Sequence, residues 1–358
     1  MSLAVTVLKN SAVLLLFLLF ISCGTKNKEY ANNLFPYSQF PQEKELKGEV
    51  IELDTALFRY PFRIRIEGDK AIVLDLHGSD YYGHLFQYPS FRYLSSFGRR
   101  GDSPLEMLSM ENFRLHNHTL WTLDANKSEL TRLDFSSSGD SLLREETVAL
   151  DEDILRPLDF AIYNDTTFVI PDYSGESRFL KVDCKGKLIE KIGTIPTTNK
   201  KALQEARPAL AQAWRSFLDY NSHNSVLATV TQLGEVVEIY NLKDSTHVIR
   251  VGEYDEPEFK VSDGYGIPTG IMGFSDVQVT DDAIYAVFHG TSFKDIARQS
   301  GRLSDGGKYI YVFSLKGEPL CKYVLDHYIY GIWVDEVTKT IMATDVNNDQ
   351  PILKFSFG

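Results

Sequence analysis

The feature that most constrains the fold is a pattern that recurs six times along the chain. Each unit has a short strand, a tight turn rich in Asn, Asp or Gly, and an apolar strand that often ends in aspartate. Turns of this composition suit β-hairpins. A repeat of about 40 to 50 residues is typical of the blades of a β-propeller. The six hairpins are predicted at residues 62–76, 113–125, 158–173, 216–230, 276–289 and 330–345.

The two ends of the repeat complete each other. The last unit stops after its third strand, in "PILKFSFG" at residues 351–358, and a spare strand, "GEVIELD", stands at residues 48–54. Pairing the two would hide both sheet edges. A large β-sandwich or two β domains would not explain this match. We therefore predict an all-β protein, a six-bladed β-propeller of four-stranded blades at residues 48–358, which an N-terminal strand closes by pairing with the last blade.

One loop between two blades carries the most specific resemblance. "FGRRGDSPLEM", at residues 97–107, resembles the Gly-x-x-Gly-x-Gly-Pro-Gly-Glu-Phe loop of TolB-like six-bladed propeller lipoproteins of Gram-negative bacteria. The matching residues are Gly98, Gly101, Pro104 and Glu106, and the departures are Ser103, Leu105 and Met107. The repeat itself resembles NHL-type and TolB-like propellers. The loop also spells Arg-Gly-Asp, an adhesion motif, but its match to an inter-blade pattern accounts for these residues without adhesion.

The N-terminus reads as an export signal. Its apolar run, from Ala12 to Ile21, is short for a membrane-spanning helix. "FISC" resembles the lipobox of bacterial lipoproteins, which implies a signal peptide at residues 1–22 and lipidation of Cys23. An ordinary secretory signal or a membrane anchor is the alternative. Residues 23–47 then read as a polar tether, and Gly24 after the cysteine favours the outer membrane or cell surface.

Charge and motif content narrow the function classes. The net charge of −12 argues against a nucleic-acid partner. The sequence has no Gly-x-Ser-x-Gly elbow, phosphate loop or His-Glu-x-x-His motif. We therefore expect no cofactor, with a divalent cation as the open alternative. Cys184 and Cys321 fall in non-adjacent units, so no disulfide is expected.

Loop lengths predict which face of the propeller binds something. Strands of a blade alternate in direction, so the loops after strands two and four share one face, here called the long-loop face. The long loops all lie on it, at residues 98–112, 195–215, 252–274 and 289–308. Residues 200–206 favour a helix that Pro208 breaks or restarts. Long loops on a rigid scaffold usually carry function.

Several charged residues on this face are candidate binding residues. Arg99, Arg100 and Asp102 lie in the first long loop, and His289 begins the fourth. The second strand of four units ends in an aspartate: Asp75, Asp124, Asp172 and Asp345. A ring of acids at the channel mouth can bind a cation or a sugar hydroxyl. The favoured alternative is that each aspartate caps the turn that follows it.

A fragment of a calcium loop completes the candidates. Asp345, Asn347 and Asp349 place oxygen atoms at alternate positions, as Ca²⁺ requires, but the Gly and Glu of an EF-hand loop are missing. His116 and His118 lie on a turn of the opposite face. The sequence favours a lipid-anchored, non-enzymatic module that binds an envelope protein or glycan. The alternatives are a metal-dependent hydrolase or lactonase that uses the channel acids, and a purely structural envelope component.

Overall fold

A computed structural model of the chain describes residues 34–54, 58–299 and 303–358. The predicted signal peptide and Cys23 lie outside this part. Three short strands come first: β1 (Leu34–Pro36), β2 (Gln42–Leu46) and β3 (Glu49–Ile51). Blade one contains β4 (Pro61–Glu67), β5 (Lys70–Asp75), β6 (Tyr81–Gln87) and β7 (Arg92–Arg99). Blade two contains β8 (Met110–His116), β9 (Thr119–Asp124), β10 (Glu129–Phe135) and β11 (Leu142–Ala149).

The remaining blades follow in chain order. Blade three contains β12 (Ala161–Asn164), β13 (Thr167–Pro171), β14 (Phe179–Asp183) and β15 (Leu188–Ile192). Blade four contains β16 (Ser216–Asn221), β17 (Val226–Thr231), β18 (Val236–Asn241) and β19 (Thr246–Val251). After the hairpin of β20 (Phe259–Ser262) and β21 (Tyr265–Pro268), blade five contains β22 (Phe274–Val279), β23 (Ala283–Phe288), β24 (Gly307–Ser314) and β25 (Pro319–Ile329). Blade six contains β26 (Ile332–Asp335), β27 (Thr340–Thr344) and β28 (Ile352–Ser356).

This arrangement confirms the predicted six-bladed propeller and its closure. Strand β3 pairs antiparallel with β28, with Ile51 opposite Ile352, and so supplies the fourth strand of blade six. The hairpin turns use the expected backbone conformations. Asn117 and His118, for example, have φ values of 50° and 59°, as a two-residue turn between twisted strands requires.

The chain before the closing strand also packs on the propeller. Strand β1 runs parallel to β19 on the outer edge of blade four, and β2 runs parallel to β25 on blade five. The described part of the predicted tether therefore forms two extra edge strands. An outermost strand exposes unpaired N–H and C=O groups, so these additions cover two edges that would otherwise be open to other chains. We call residues 34–47 the edge segment.

Three short helices lie in the described parts of the long loops. Helices α1 (Lys200–Glu205) and α2 (Arg207–Ala213) precede blade four, and α3 (Phe293–Arg298) lies in the insertion of blade five. The predicted helix at 200–206 is thus present, and Pro208 sits in the first turn of the next helix, where proline is tolerated. No helix in the described ranges is long and apolar enough to cross a membrane.

A charged network fills the centre of the propeller. Arg65 of blade one donates to both carboxylate oxygens of Asp276 of blade five, at 3.1 and 3.0 Å, and to the Ile332 carbonyl of blade six. Arg114 of blade two donates to Asp159, at 2.7 Å, and to the Leu218 carbonyl of blade four. These side chains are largely buried, and they link blade one with blades five and six, and blade two with blades three and four.

Aromatic rings pack in the centre of the propeller next to this charged network. The guanidinium of Arg63 lies 4.2 Å from the ring centre of Phe62 and 4.5 Å from that of Phe217, which belongs to blade four. The channel is therefore a packed polar and aromatic core at this depth, and a ligand has room only at its mouths or between the blades.

Candidate binding site at the channel mouth

The aspartates that end strand two act as structural caps. Asp75 accepts hydrogen bonds from the backbone N–H groups of Arg59 and Tyr60, at 2.8 and 2.7 Å, and of His77, at 3.1 Å. The carboxylate thereby ties the chain that enters blade one to the turn after its second strand. Asp124 does the same in blade two, where the donors lie at Leu108, Ser109, Asn126 and Lys127.

The other two aspartates hold their own turns. Asp172 accepts bonds from the N–H groups of Ser174 and Ser177 and from the Ser177 hydroxyl. Asp345 accepts from the backbone and side-chain amides of Asn347, each at 2.8 Å, and from the Asn348 side chain. All four carboxylates are at least 97% buried and are bonded to N–H or O–H groups. The four aspartates therefore cap turns and loop ends, which was the favoured alternative, and they do not form an open ring of ligands.

The calcium-like fragment is engaged in a similar way. The side-chain oxygen of Asn347 accepts the N–H of Asp305 at 2.8 Å, and its amide donates to the Asp305 carbonyl. Asp349 is exposed. Within the described ranges, no three His, Cys, Asp or Glu side chains are grouped so that they could hold a metal ion.

A cluster that the sequence analysis missed lies where the channel opens on the long-loop face. The phenols of Tyr60 and Tyr330 donate to the two carboxylate oxygens of Asp305, at 2.7 and 3.2 Å. The two rings are 5.4 Å apart at 62°. Asn347 holds the Asp305 backbone from the other side. We call Tyr60, Asp305, Tyr330 and Asn347, together with His289, the mouth cluster.

Burial sets the protonation states of this cluster. Burial, followed by the nearby Asp305 charge, raises the pKa of Tyr330 to about 12, and burial also raises the pKa of Tyr60. Both phenols are therefore hydrogen-bond donors at neutral pH. Burial lowers the pKa of His289 to about 4, against the opposing effect of Asp305, so the imidazole is neutral.

The cluster suits recognition of polar, uncharged groups. His289 is 8% exposed, and its ring packs edge-on to Tyr330 at 5.3 Å. Its Nε2 atom has no hydrogen-bond partner among the described residues. Phenols, a carboxylate, an amide and a neutral imidazole can donate to and accept from hydroxyl groups.

The Arg-Gly-Asp stretch is built into the fold. The Arg100 guanidinium lies 3.6 Å from the ring centre of Tyr82 and donates to the Leu76 carbonyl. Arg99 is 70% exposed and lies 3.5 Å from Glu106. Asp102 is exposed. Arg100 therefore positions the loop, whereas Arg99 and Asp102 are available on its surface.

The structure divides the predicted site residues into two groups. His289 belongs to the mouth cluster, and Asp345 supports it through Asn347. Asp75 borders it through His77, whose ring is 5.0 Å from that of Tyr60. Asp124 and Asp172 bond to the turns and loop ends of their own blades. On the opposite face, His116 is bonded to Asp165 at 2.8 Å, while His118 is largely exposed.

Comparison with known proteins identifies the same architecture. The family model of TolB-like 6-blade propeller-like proteins matches residues 39–337. A predicted exported protein from Bacteroides fragilis has a similar structure, with 12% identity, a TM-score of 0.55 and coverage of 90% of this chain and 98% of that chain. A member of the duf4221 family from Bacteroides vulgatus has 10% identity, a TM-score of 0.55 and coverage of 88% and 98%.

A further similar structure is that of an auxiliary nutrient binding protein from Bacteroides ovatus. It has 10% identity, a TM-score of 0.53 and coverage of 84% of this chain and 70% of that chain. At these identities the likeness concerns the fold alone. No curated protein matches the sequence.

Proposed function

Because the chain belongs to the TolB-like six-bladed propeller family, we propose that it is a non-enzymatic binding module of the cell envelope. In this proposal Cys23 carries a lipid anchor, and the long-loop face recognises a protein or glycan partner. The observation that carries the proposal is the mouth cluster, where two phenols, a carboxylate, an amide and a neutral imidazole lie together. Donors and acceptors of this kind favour a glycan, since its hydroxyl groups can satisfy both.

The fold comparisons support this proposal only in outline. The auxiliary nutrient binding protein of Bacteroides ovatus has a fold similar to this one. That likeness concerns architecture, so the choice of a ligand rests on the cluster itself.

The hydrolase alternative lacks the groups that it would use. Asp75, Asp124, Asp172 and Asp345 are the acids it requires as metal ligands, and each is bonded to N–H or O–H groups of nearby turns and loop ends. A metal would have to displace these bonds and unfasten the loops that they hold. The geometry therefore favours binding over catalysis.

The glycan proposal is tested by replacing the Asp305 carboxylate of the mouth cluster with an amide. Asp305→Asn keeps the size of the side chain but weakens acceptance from the two tyrosines and from a ligand hydroxyl. Asp349→Asn, on an exposed carboxylate of the same face, is the matched control. Calorimetric titration with a panel of neutral oligosaccharides should show binding to the wild type that Asp305→Asn weakens about tenfold. Equal affinity in both variants would refute a role for the cluster.

The partner is sought in parallel by affinity capture from detergent-solubilised envelope. Material recovered with the wild type and lost with Asp305→Asn identifies the ligand as carbohydrate or protein. Identical recovery from wild type, Asp305→Asn and Asp349→Asn would contradict recognition by this face.

The anchor is a separate prediction with its own test. Metabolic labelling of cells with an alkyne fatty acid should label the wild type and the Cys184→Ala control. Cys23→Ala should be unlabelled and should leave the membrane fraction, because a single acyl-anchored cysteine is then absent. Labelling of Cys23→Ala at the wild-type level would contradict lipidation at this residue.

A further inference from the structure

A second cavity, of about 330 Å³, lies between blades four and five. It is lined by different residues from the mouth cluster, and the edge segment forms one of its walls. Its lining includes Tyr37, Phe40, Glu235, Glu253, Tyr254 and Tyr311. Carboxylates and aromatic rings thus line one cavity, a combination that indicates a particular ligand chemistry.

The charges of this cavity do not balance. Glu235 is 3% exposed and accepts hydrogen bonds from the Tyr37 hydroxyl, at 2.9 Å, and from the Tyr254 N–H, at 3.0 Å. Lys322, the basic residue of the lining, is 3.1 Å from Glu43, which neutralises it. Glu253 has no ion-pair partner in the described ranges. Two carboxylates, Glu235 and Glu253, therefore remain without a counter-charge.

The two carboxylates of the cavity repel each other. Burial raises the pKa of Glu235, and the charge of Glu253 raises it further, although bonds from Tyr254 and Tyr37 oppose the shift. A cation in the cavity would remove this repulsion. A neutral ligand without hydrogen-bond donors would desolvate the carboxylates further without compensation, and an anion would add to the repulsion.

The walls provide a second attraction for a cation. The rings of Phe40 and Tyr311 are 4.7 Å apart, and Tyr37 packs edge-on to Phe40 at 5.7 Å. Aromatic faces attract ammonium and guanidinium groups. The protein already makes such a contact beside the cavity, where the Lys322 ammonium lies 4.6 Å from the ring centre of Tyr309.

We propose that the cavity between blades four and five binds a cationic group, an ammonium or guanidinium, through Glu235, Glu253 and the surrounding rings. Such a group can come from a basic side chain of a partner protein or from a free polyamine. This site goes beyond the proposed glycan recognition, because its lining and its charge differ from those of the mouth cluster. Since the edge segment forms part of its wall, the site requires residues 34–47 in place.

The test titrates the full chain with three probes: spermidine, the capped peptide Gly-Lys-Gly, and the same peptide with its lysine Nε-acetylated. Calorimetry should detect one site for at least one charged probe, an affinity that falls with added salt, and no binding of the acetylated peptide. Binding of spermidine alone points to a polyamine, and binding of the lysine peptide points to a protein partner. Equal binding of the acetylated peptide would overturn the proposal.

Two variants locate the site. Glu253→Gln removes an exposed charge and should weaken binding about tenfold, whereas Glu152→Gln, on an exposed glutamate of another loop, should not. Glu235→Gln should act in the same direction if circular dichroism shows it folded. Unchanged affinity in Glu253→Gln would overturn the proposal, as would the lack of any heat at charged-probe concentrations of about 10 mM. Neither outcome would affect the oligosaccharide test of the mouth cluster, so the two proposals fail separately.

Discussion

Replacement of Asp276 by asparagine should destabilise the propeller more than any comparable surface change. Asp276 is 2% exposed and accepts two hydrogen bonds from Arg65 and one each from the N–H groups of Val277 and Ile332. It also lies 3.4 Å from Arg63. Asparagine preserves the volume but leaves two buried guanidinium groups without their counter-charge.

The magnitude follows from burial. Burial lowers the pKa of Arg63 to about 10 even though the Asp276 charge opposes the shift, so the charged guanidinium depends on this carboxylate. Breaking a buried pair costs about 3 to 5 kcal/mol. The matched control is Glu176→Gln, which removes an exposed ion pair with Lys191 and should change the stability little.

Equilibrium urea unfolding, followed by tryptophan fluorescence and circular dichroism, measures both variants. With a slope of about 3 kcal/mol per M, a loss of about 3 to 5 kcal/mol should lower the midpoint of Asp276→Asn by roughly 1 to 1.7 M. Glu176→Gln should unfold close to the wild type. If Asp276→Asn also unfolds at the wild-type midpoint, the axial charges do not hold the blades together and the reasoning is wrong.

Three further results are expected. His289 has a folded pKa of about 4, below its ordinary value of 6.5, so it binds its proton first in the unfolded chain and stability should decline as the pH falls from about 6.5 to 4. The free energy of unfolding of His289→Gln, measured by urea titration, should therefore fall less over this range, by up to about 3 kcal/mol. Gly186 and Gly264 have nearly the same φ, +81° and +82°. A Cβ at Gly186 would lie 1.9 Å from the Ala149 carbonyl oxygen, whereas a Cβ at Gly264 would meet no atom within 4 Å. Gly186→Ala should therefore lower the thermal midpoint more than Gly264→Ala. Deletion of residues 34–47 should expose two blade edges and produce concentration-dependent oligomers in light scattering, whereas a folded monomer would contradict this role.

The architecture could be predicted because it repeats. Each hairpin of the propeller has its own turn and its own alternation of apolar residues, and six copies of the pattern reinforce one another. The closing strand at residues 48–54 was predictable from a count of strands. The edge segment was not, because "QEKEL" in β2 is almost entirely exposed and carries no apolar alternation.

The candidate site was harder to predict because it lies where the repeat is interrupted. Tyr60 and Tyr330 stand just before the first strands of blades one and six, and Asp305 lies in an insertion of blade five. Only the fold brings these three side chains together. The aspartates at the end of strand two were candidates because they recur from blade to blade. They recur because each forms hydrogen bonds that hold the loops on that face.

The sequence also contains a signal for the axial network, which is separate from the hairpin pattern. The innermost strands are mostly apolar, but they or the residues just before them carry arginines in "FRIRI" and "FRL" of blades one and two, and aspartates in "LDF", "FLD" and "SDV" of blades three, four and five. A charge on a strand that faces the propeller axis has no solvent, so it must meet its opposite there. Arginines on one side of the ring and aspartates on the other therefore predict that the channel is filled by ion pairs. A ligand must then bind at the mouth or between the blades, which is where the structure has its two candidate sites.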